Sequence, residues 1–296
     1  MVNLLNSKLQ LAFLESESLV ETFNNYYLRL KTKVDNYRDA KITLFYDFEL
    51  NSQIALIKIF ADRKKLYFND KSKHLSNFEV ILSMRVYELT DAAIKLLNEN
   101  SIVAAALIAR SLLELTIFGF EDISQFNELT GDLGGFDDKK MKELNMLENK
   151  MLWSSKYASK DETYLKPRQI TESIRKIEQK MSWKIKDKYT WLCEFAHPNR
   201  LGYDVYIERT DSKNNDGSIT YIANKTKDII DKIEDTIKNN LKFYAMGPEE
   251  ILRYPSIIRQ LIDVVLSSLA TLEIINETSG KIRTNINVFF SNNGTL

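Results

Sequence analysis

Ile102-Val-Ala-Ala-Ala-Leu-Ile-Ala-Arg-Ser-Leu-Leu-Glu-Leu-Thr-Ile-Phe-Gly-Phe120 is the stretch on which the reading of the fold turns. Its nineteen residues match the length of a membrane span. Two charges, Arg110 and Glu114, sit at its middle. On insertion scales each would cost roughly 2.5–3.5 kcal/mol at the centre of a bilayer. Four residues apart on a helix, the two can face and neutralise each other. The run therefore reads as the buried helix of a soluble protein, with Ser101 as its N-cap. A helix that apolar needs other helices to cover it.

The rest of the chain supplies them. Of 296 residues, 44% are hydrophobic and 28% charged, a mixture able to bury a sizeable core. Only 9 glycines and 4 prolines punctuate it, too few for the tight turns of a sandwich or barrel, so long helices are favoured. Forty-one basic residues balance forty-one acidic ones, and no global field points to nucleic acid or membrane. One cysteine excludes an intrachain disulfide and a multi-cysteine zinc site, which fits a reducing compartment. The start, Met1-Val-Asn-Leu-Leu-Asn-Ser-Lys8, shows no basic segment leading into an apolar core. The expectation is a cytoplasmic protein with no membrane partner.

Apolar periodicity places helices at 3–35, 50–69, 72–99, 102–122, 137–152, 168–181, 183–197, 225–245 and 249–278, followed by a polar tail. In the third of these regions Leu82, Val86, Leu89 and Ala93 repeat at the spacing that buries one face. Lys41–Glu49 alternates in part and is compatible with either a short strand or an irregular linker. Thr130-Gly-Asp-Leu-Gly-Gly-Phe136 is the clearest break. Without a Walker lysine-serine pair or a preceding strand it reads as an inter-helix loop rather than a phosphate cradle. Gly202–Glu208 and Ser218–Ile222 are β-prone runs around an Asp216-Gly217 turn, the one hairpin signal. The expected class is all-α: a multi-helix bundle with one small β-hairpin insertion.

Three constellations could carry chemistry. The first is Tyr189-Thr-Trp-Leu-Cys-Glu-Phe-Ala-His-Pro-Asn-Arg200. Tyr189, Cys193 and His197 lie four apart and share a helix face. Pro198 disfavours helical backbone at 197, so His197 belongs at the helix C-terminus. There the dipole favours a protonated imidazole, a suitable place for an acid-base group or for a simple cap. Glu194-x-x-His197 is half of a carboxylate-bridged di-metal motif, but no second pair exists, and His74 sits in a polar Lys-Ser-Lys-His stretch. No metal or cofactor is expected. The second constellation is Arg110 with Glu114, either simply paired or facing a polar cavity shared with His197, where the arginine would grip a phosphate.

The third runs from Lys156 to Thr190, with ten basic residues against five acidic ones, and the three tryptophans, Trp153, Trp183 and Trp191, lie in or beside it. Interleaved cations and aromatics suit single-stranded nucleic acid, and a solvated helix face with core tryptophans has the same composition. Lys184, Lys186, Lys188 and Arg200 are the candidate nucleic-acid contacts.

Leu107-Ile-Ala-Arg110-Ser-Leu-Leu-Glu114 and Tyr189-x-x-Leu-Cys-Glu-Phe-Ala-His197-Pro-Asn199, followed by a hairpin, resemble a group of uncharacterised prokaryotic helical proteins with a HEPN-like core. HEPN denotes a nucleotide-binding superfamily of higher eukaryotes and prokaryotes. The likeness covers roughly residues 75–225. It leaves both ends unexplained, and the expected division is an N-terminal helical segment at 1–70, a HEPN-like helical core at 71–225 with the hairpin near 203–223, and C-terminal helices at 226–296 packing on that core. The likeness implies a helical bundle, often dimeric, and in many members a metal-independent ribonuclease of toxin–antitoxin or phage-defence systems. In such members an arginine precedes the histidine by about five to seven residues. Here no arginine occupies 189–196, so only His197 carries over. Our own inference puts Arg110 in the missing role, with Glu114 and Tyr189 orienting the pair. The alternative expectation is a non-catalytic helical module that binds a protein or ligand in a stress or phage-defence system.

Overall fold

The structure is a computed structural model, and it describes residues 17–37, 61–153, 168–181, 183–197, 205–213, 219–223 and 248–292. Among them are seven helices: α1 (Glu17–Asn36), α2 (Ala61–Asn98), α3 (Ile102–Thr130), α4 (Asp138–Trp153), α5 (Ile170–Met181), α6 (Ile185–Ala196) and α7 (Pro248–Asn292). The class is all-α. Two short segments, β1 (Ile207–Lys213) and β2 (Ile219–Ala223), pair antiparallel with Ile207 opposite Ala223 and Lys213 opposite Ile219. The pairing is irregular between Arg209 and Lys213. The hairpin expected near 203–223 falls partly outside the described residues, at 203–204 and 214–218. So do the helix expected at 225–245, the 41–49 segment, residues 3–16 of the first helix and residues 50–60.

Three boundaries differ from those the sequence suggests, and each has a physical reason. The helices expected at 50–69 and 72–99 are one helix from Ala61 through Asn98. The polar Asn69-Asp-Lys-Ser72 looks like a break, but Lys71 is buried against Glu148, and Phe68, Leu75, Phe78 and Leu82 keep the buried stripe in phase. Helix α3 runs past 122 to Thr130 because Ile123 and Phe126 continue its apolar face. Helix α7 runs on through the region expected to be a polar tail. Ile282 and Ile286 are buried there, and Ser279 and Arg283 both reach Glu79.

The turn between α2 and α3 explains how two long helices follow each other so closely. Asn100 adopts φ 58°, the left-handed conformation in which a helix can end. The Ser101 amide donates to the Leu96 carbonyl at 2.8 Å, and the Asn100 amide donates to Leu97 at 3.0 Å. These two bonds are the Schellman closure of α2. The Ser101 carbonyl then accepts from the Ala105 amide at 2.9 Å, opening α3. The Gly-rich loop after α3 is a plain connector. The Asp132 carboxylate accepts from the Gly135 amide at 3.0 Å, so an acid already holds the group that an anion would need. Asp137 caps α4 by accepting from the Lys140 amide at 2.8 Å.

The chain divides into two compact units. One comprises Met1–Lys31, Val86–Glu114 and Lys184–Leu269; the other comprises Thr32–Arg85, Leu115–Trp183 and Ala270–Leu296. The first unit has a mainly aliphatic core including Leu97, Ile102, Leu112, Leu192, Leu261 and Ile262, with small Ala105, Ala106 and Ala109 on α3 and Phe23 and Phe195 among its buried aromatics. The second has a more aromatic one, including Phe68, Phe78, Phe120 and Phe126. Phe68 packs edge-on against Phe136 at 4.8 Å and lies 5.6 Å from Phe290. At Gly119 in that unit, a Cβ would stand 2.9 Å from Leu82 Cδ2 and 3.2 Å from Ile275 Cδ1, so a larger residue would push these packed side chains aside.

By length and composition α3 is long and apolar enough to cross a membrane, and half of its most apolar window is buried inside the protein.

Candidate functional site

The site lies in the first unit, where α3 and α6 each contribute polar groups from the edge of a buried face. On α3, Ala109, Leu112 and Leu113 point into the core, which leaves Arg110 and Glu114 on its flank. Their side chains are 26% and 31% exposed. On α6, Ile185, Tyr189, Leu192 and Phe195 form the buried face, so the Tyr189 ring is held by packing while its hydroxyl reaches the polar edge.

The three groups close a ring. Arg110 Nε donates to Glu114 Oε1 at 3.0 Å, Arg110 Nη2 donates to the Tyr189 hydroxyl at 3.0 Å, and that hydroxyl donates to the same Glu114 Oε1 at 3.1 Å. The guanidinium carbon also lies 5.3 Å from the Tyr189 ring centre, within range of a cation–π attraction. Burial and the adjacent Glu114 charge push the Tyr189 phenol up to about 12, outweighing the hydrogen bond from Arg110 that favours the phenolate. At neutral pH Tyr189 is therefore a hydrogen-bond donor, not a base. Burial acts to lower the Arg110 pKa, but the Tyr189 hydrogen bond and the neighbouring Tyr189, Cys193 and Glu114 groups outweigh it and raise the pKa.

His197 takes the place that Pro198 dictates. It is the C-cap of α6, with extended backbone at φ −105° and ψ 159°, and its amide donates to the Cys193 carbonyl at 3.1 Å. Its side chain is exposed and, among the described residues, has no hydrogen-bond or ion-pair partner. Tyr189 and His197 are two turns apart, about 12 Å along the helix, so they do not touch directly. Cys193, a free and half-buried thiol, lies between them and senses the Arg110 charge. The structure thus joins Arg110, Glu114 and Tyr189 and leaves His197 two turns of α6 beyond Tyr189.

The basic stretch is less open than its composition suggests. Lys188 is 2.7 Å from Asp263 and 2.8 Å from the Ser267 hydroxyl on α7. In the second unit Arg168 pairs with Glu121 and Asp122, Lys176 with Glu121, Lys180 with Glu128, and Arg175 with Glu172. Lys184 and Lys186 are exposed, Lys184 standing just before α6. Arg200 and residues 156–167 lie outside the described residues. Trp183 lies tilted against Phe120 at 5.4 Å, Trp191 packs edge-on against Phe195 at 5.0 Å, and both tryptophans are half-buried. The side chain of Trp153 is outside the described residues.

Sequence reasoning missed the second unit's polar interior. His74, read as lying in a polar stretch without partners, is buried with Nδ1 4.0 Å from Glu148, the partner of Lys71. Glu121 and Asp122 follow directly on the apolar run, and a survey of charges that stops at Phe120 passes over them. Among the described residues no three His, Cys, Asp or Glu side chains group closely enough to hold a metal ion.

No protein-family model, curated protein or solved structure matches the chain.

Proposed function

We propose that this chain is a HEPN-like, RNA-acting protein of the toxin or defence kind, using the α3–α6 edge for metal-independent phosphodiester chemistry. Arg110 would stabilise charge developing on the phosphate, and His197 would give or take the proton. Glu114 and Tyr189 would fix the guanidinium. The observation that carries this reading is the Arg110 ring itself. Two anchors orient an arginine that stays partly open, and one of them, Tyr189, stands two turns before an exposed histidine on α6. The same reading takes the fold as a multi-helix bundle with an inserted hairpin, working in the cytoplasm as a homodimer without a cofactor.

The test is incubation of the purified protein with a mixed RNA pool in EDTA, beside His197→Ala and Arg110→Ala. Cleavage by the unaltered protein and by neither variant supports the reading. Equal cleavage by all three removes this site from it.

A second reading has its own observation. The described cations between Arg168 and Lys188 are largely engaged by acids of the same chain, which suits a non-catalytic module that binds a protein or ligand. Silence from all three folded proteins in the RNA assay favours that reading.

A further inference from the structure

Glu114 does more in this ring than orient. Its Oε1 accepts from both Arg110 and Tyr189, so one carboxylate oxygen holds the two donors that a phosphate oxygen would take. The pair is about one-quarter to one-third exposed, so an anion can approach it from solvent. Such a carboxylate can be displaced. Tyr189 remains a donor at neutral pH and could transfer its proton contact from the carboxylate to an incoming anion. The guanidinium would keep its hydrogen bond to Tyr189 and turn its freed Nε edge to the same anion.

We propose that Glu114 is a built-in competitor for the anion site at Arg110, a carboxylate that occupies the arginine until a phosphate group displaces it. This rests on the preceding reading only in taking the ligand to be a phosphate group; it requires no cleavage. Free phosphate and the phosphodiester of a nucleic acid share the chemistry, and separate titrations distinguish them.

The experiment titrates the full chain with inorganic phosphate and, separately, with a single-stranded oligodeoxynucleotide, whose missing 2′-hydroxyl keeps binding apart from RNA cleavage. Calorimetry reads the affinity of the unaltered protein, Glu114→Gln, Arg110→Ala and Asp187→Asn. Asp187 is an exposed acid on α6, so its variant removes one negative charge from the same unit without freeing Arg110. Glu114→Gln should bind about three-fold tighter, Asp187→Asn should match the unaltered protein, and Arg110→Ala should lose binding. A tighter oligonucleotide with unchanged phosphate binding assigns the site to the polymer; both tightening assigns it to the phosphate group itself.

Equal gains from Glu114→Gln and Asp187→Asn would reduce the effect to net charge and overturn the proposal. So would binding by Glu114→Gln no tighter than by the unaltered protein, or no binding by any form. Thermal melts of each variant establish that the comparison is among folded proteins. Tightened binding without RNA cleavage would sink the nuclease reading and leave the competitor standing. Cleavage with unaltered affinity would do the reverse.

Discussion

The two units handle charge in opposite ways. In the first, an aliphatic core is kept nearly free of ions, and the Arg110, Glu114 and Tyr189 ring and the Lys188–Asp263 pair sit at its margin. In the second, ions go inside. Glu121 and Asp122, both buried, receive Arg168, Lys176 and the Ser173 hydroxyl. Glu79 receives Lys33, Arg283 and the Ser279 hydroxyl. Lys71 meets Glu148. Each of these carboxylates gives up water, and the convergence of donors offsets that loss. The contrast teaches where function has room. A marginal, loosely held arginine can exchange partners, whereas a buried network cannot release one member without stranding the others.

The largest expected effect breaks the second unit. Arg168→Ala leaves Glu121 and Asp122 without their shared guanidinium, and removing one partner of a buried pair costs about 3–5 kcal/mol. Urea unfolding should show a midpoint far below that of the unaltered protein. A loss under about 1 kcal/mol would mean that these carboxylates reach water and that the contrast is overstated.

Acid should find the same weakness. Burial acts to raise the Glu121 pKa, but the Ser173, Arg168 and Lys176 contacts outweigh it and hold the carboxyl below its usual 4.5. A depressed carboxylate contributes stability above that unfolded value, and the stability is lost as pH falls through the lower folded value. The urea midpoint should therefore drop as pH falls below about 4.5. Glu121→Gln, less stable throughout, should show a shallower drop. Parallel pH curves for the two proteins would count against Glu121 as the source.

Much of this fold is legible from spacing alone, and the exceptions share a cause. Helices α4, α5 and α6 fall within two residues of their periodic segments, and His197 ends α6 where Pro198 requires. Arg110 with Glu114 was readable because the two are four apart on one helix. Glu121's partners are not, because Arg168 and Ser173 lie 47 and 52 residues downstream on other segments, and no local pattern encodes that meeting. The same holds for Lys71, whose burial depends on Glu148 and which as a sequence signal reads only as a helix break. Local periodicity reports which face is buried, while long-range pairing decides whether a charge on that face is tolerated.

At the margin of the first unit, substitutions should separate stability from function. Arg110→Ala removes a partly exposed pair and the Tyr189 contacts, for a stability change of about 1 kcal/mol. The same variant should abolish anion binding in the titration above. A stability loss as large as that of Arg168→Ala would make the ring a structural lock and end the comparison between the units.

The smallest effect lies at Gly280, in the interior of α7. A glycine inside a helix costs roughly 0.5–1 kcal/mol relative to alanine, because the unfolded chain has more freedom to lose. At Gly119 the close contacts of Leu82 and Ile275 justify that loss; at Gly280 a Cβ would meet nothing within 4 Å. Its neighbours Ser279 and Arg283 already hold Glu79 through their own side chains and need no help from a flexible backbone. Gly280→Ala should raise the urea midpoint by the equivalent of about 0.5–1 kcal/mol, and Gly119→Ala should lower it. If Gly280→Ala is instead destabilising, α7 bends at that residue to let Ser279 and Arg283 reach Glu79 together, and the ion network sets the helix path rather than the reverse.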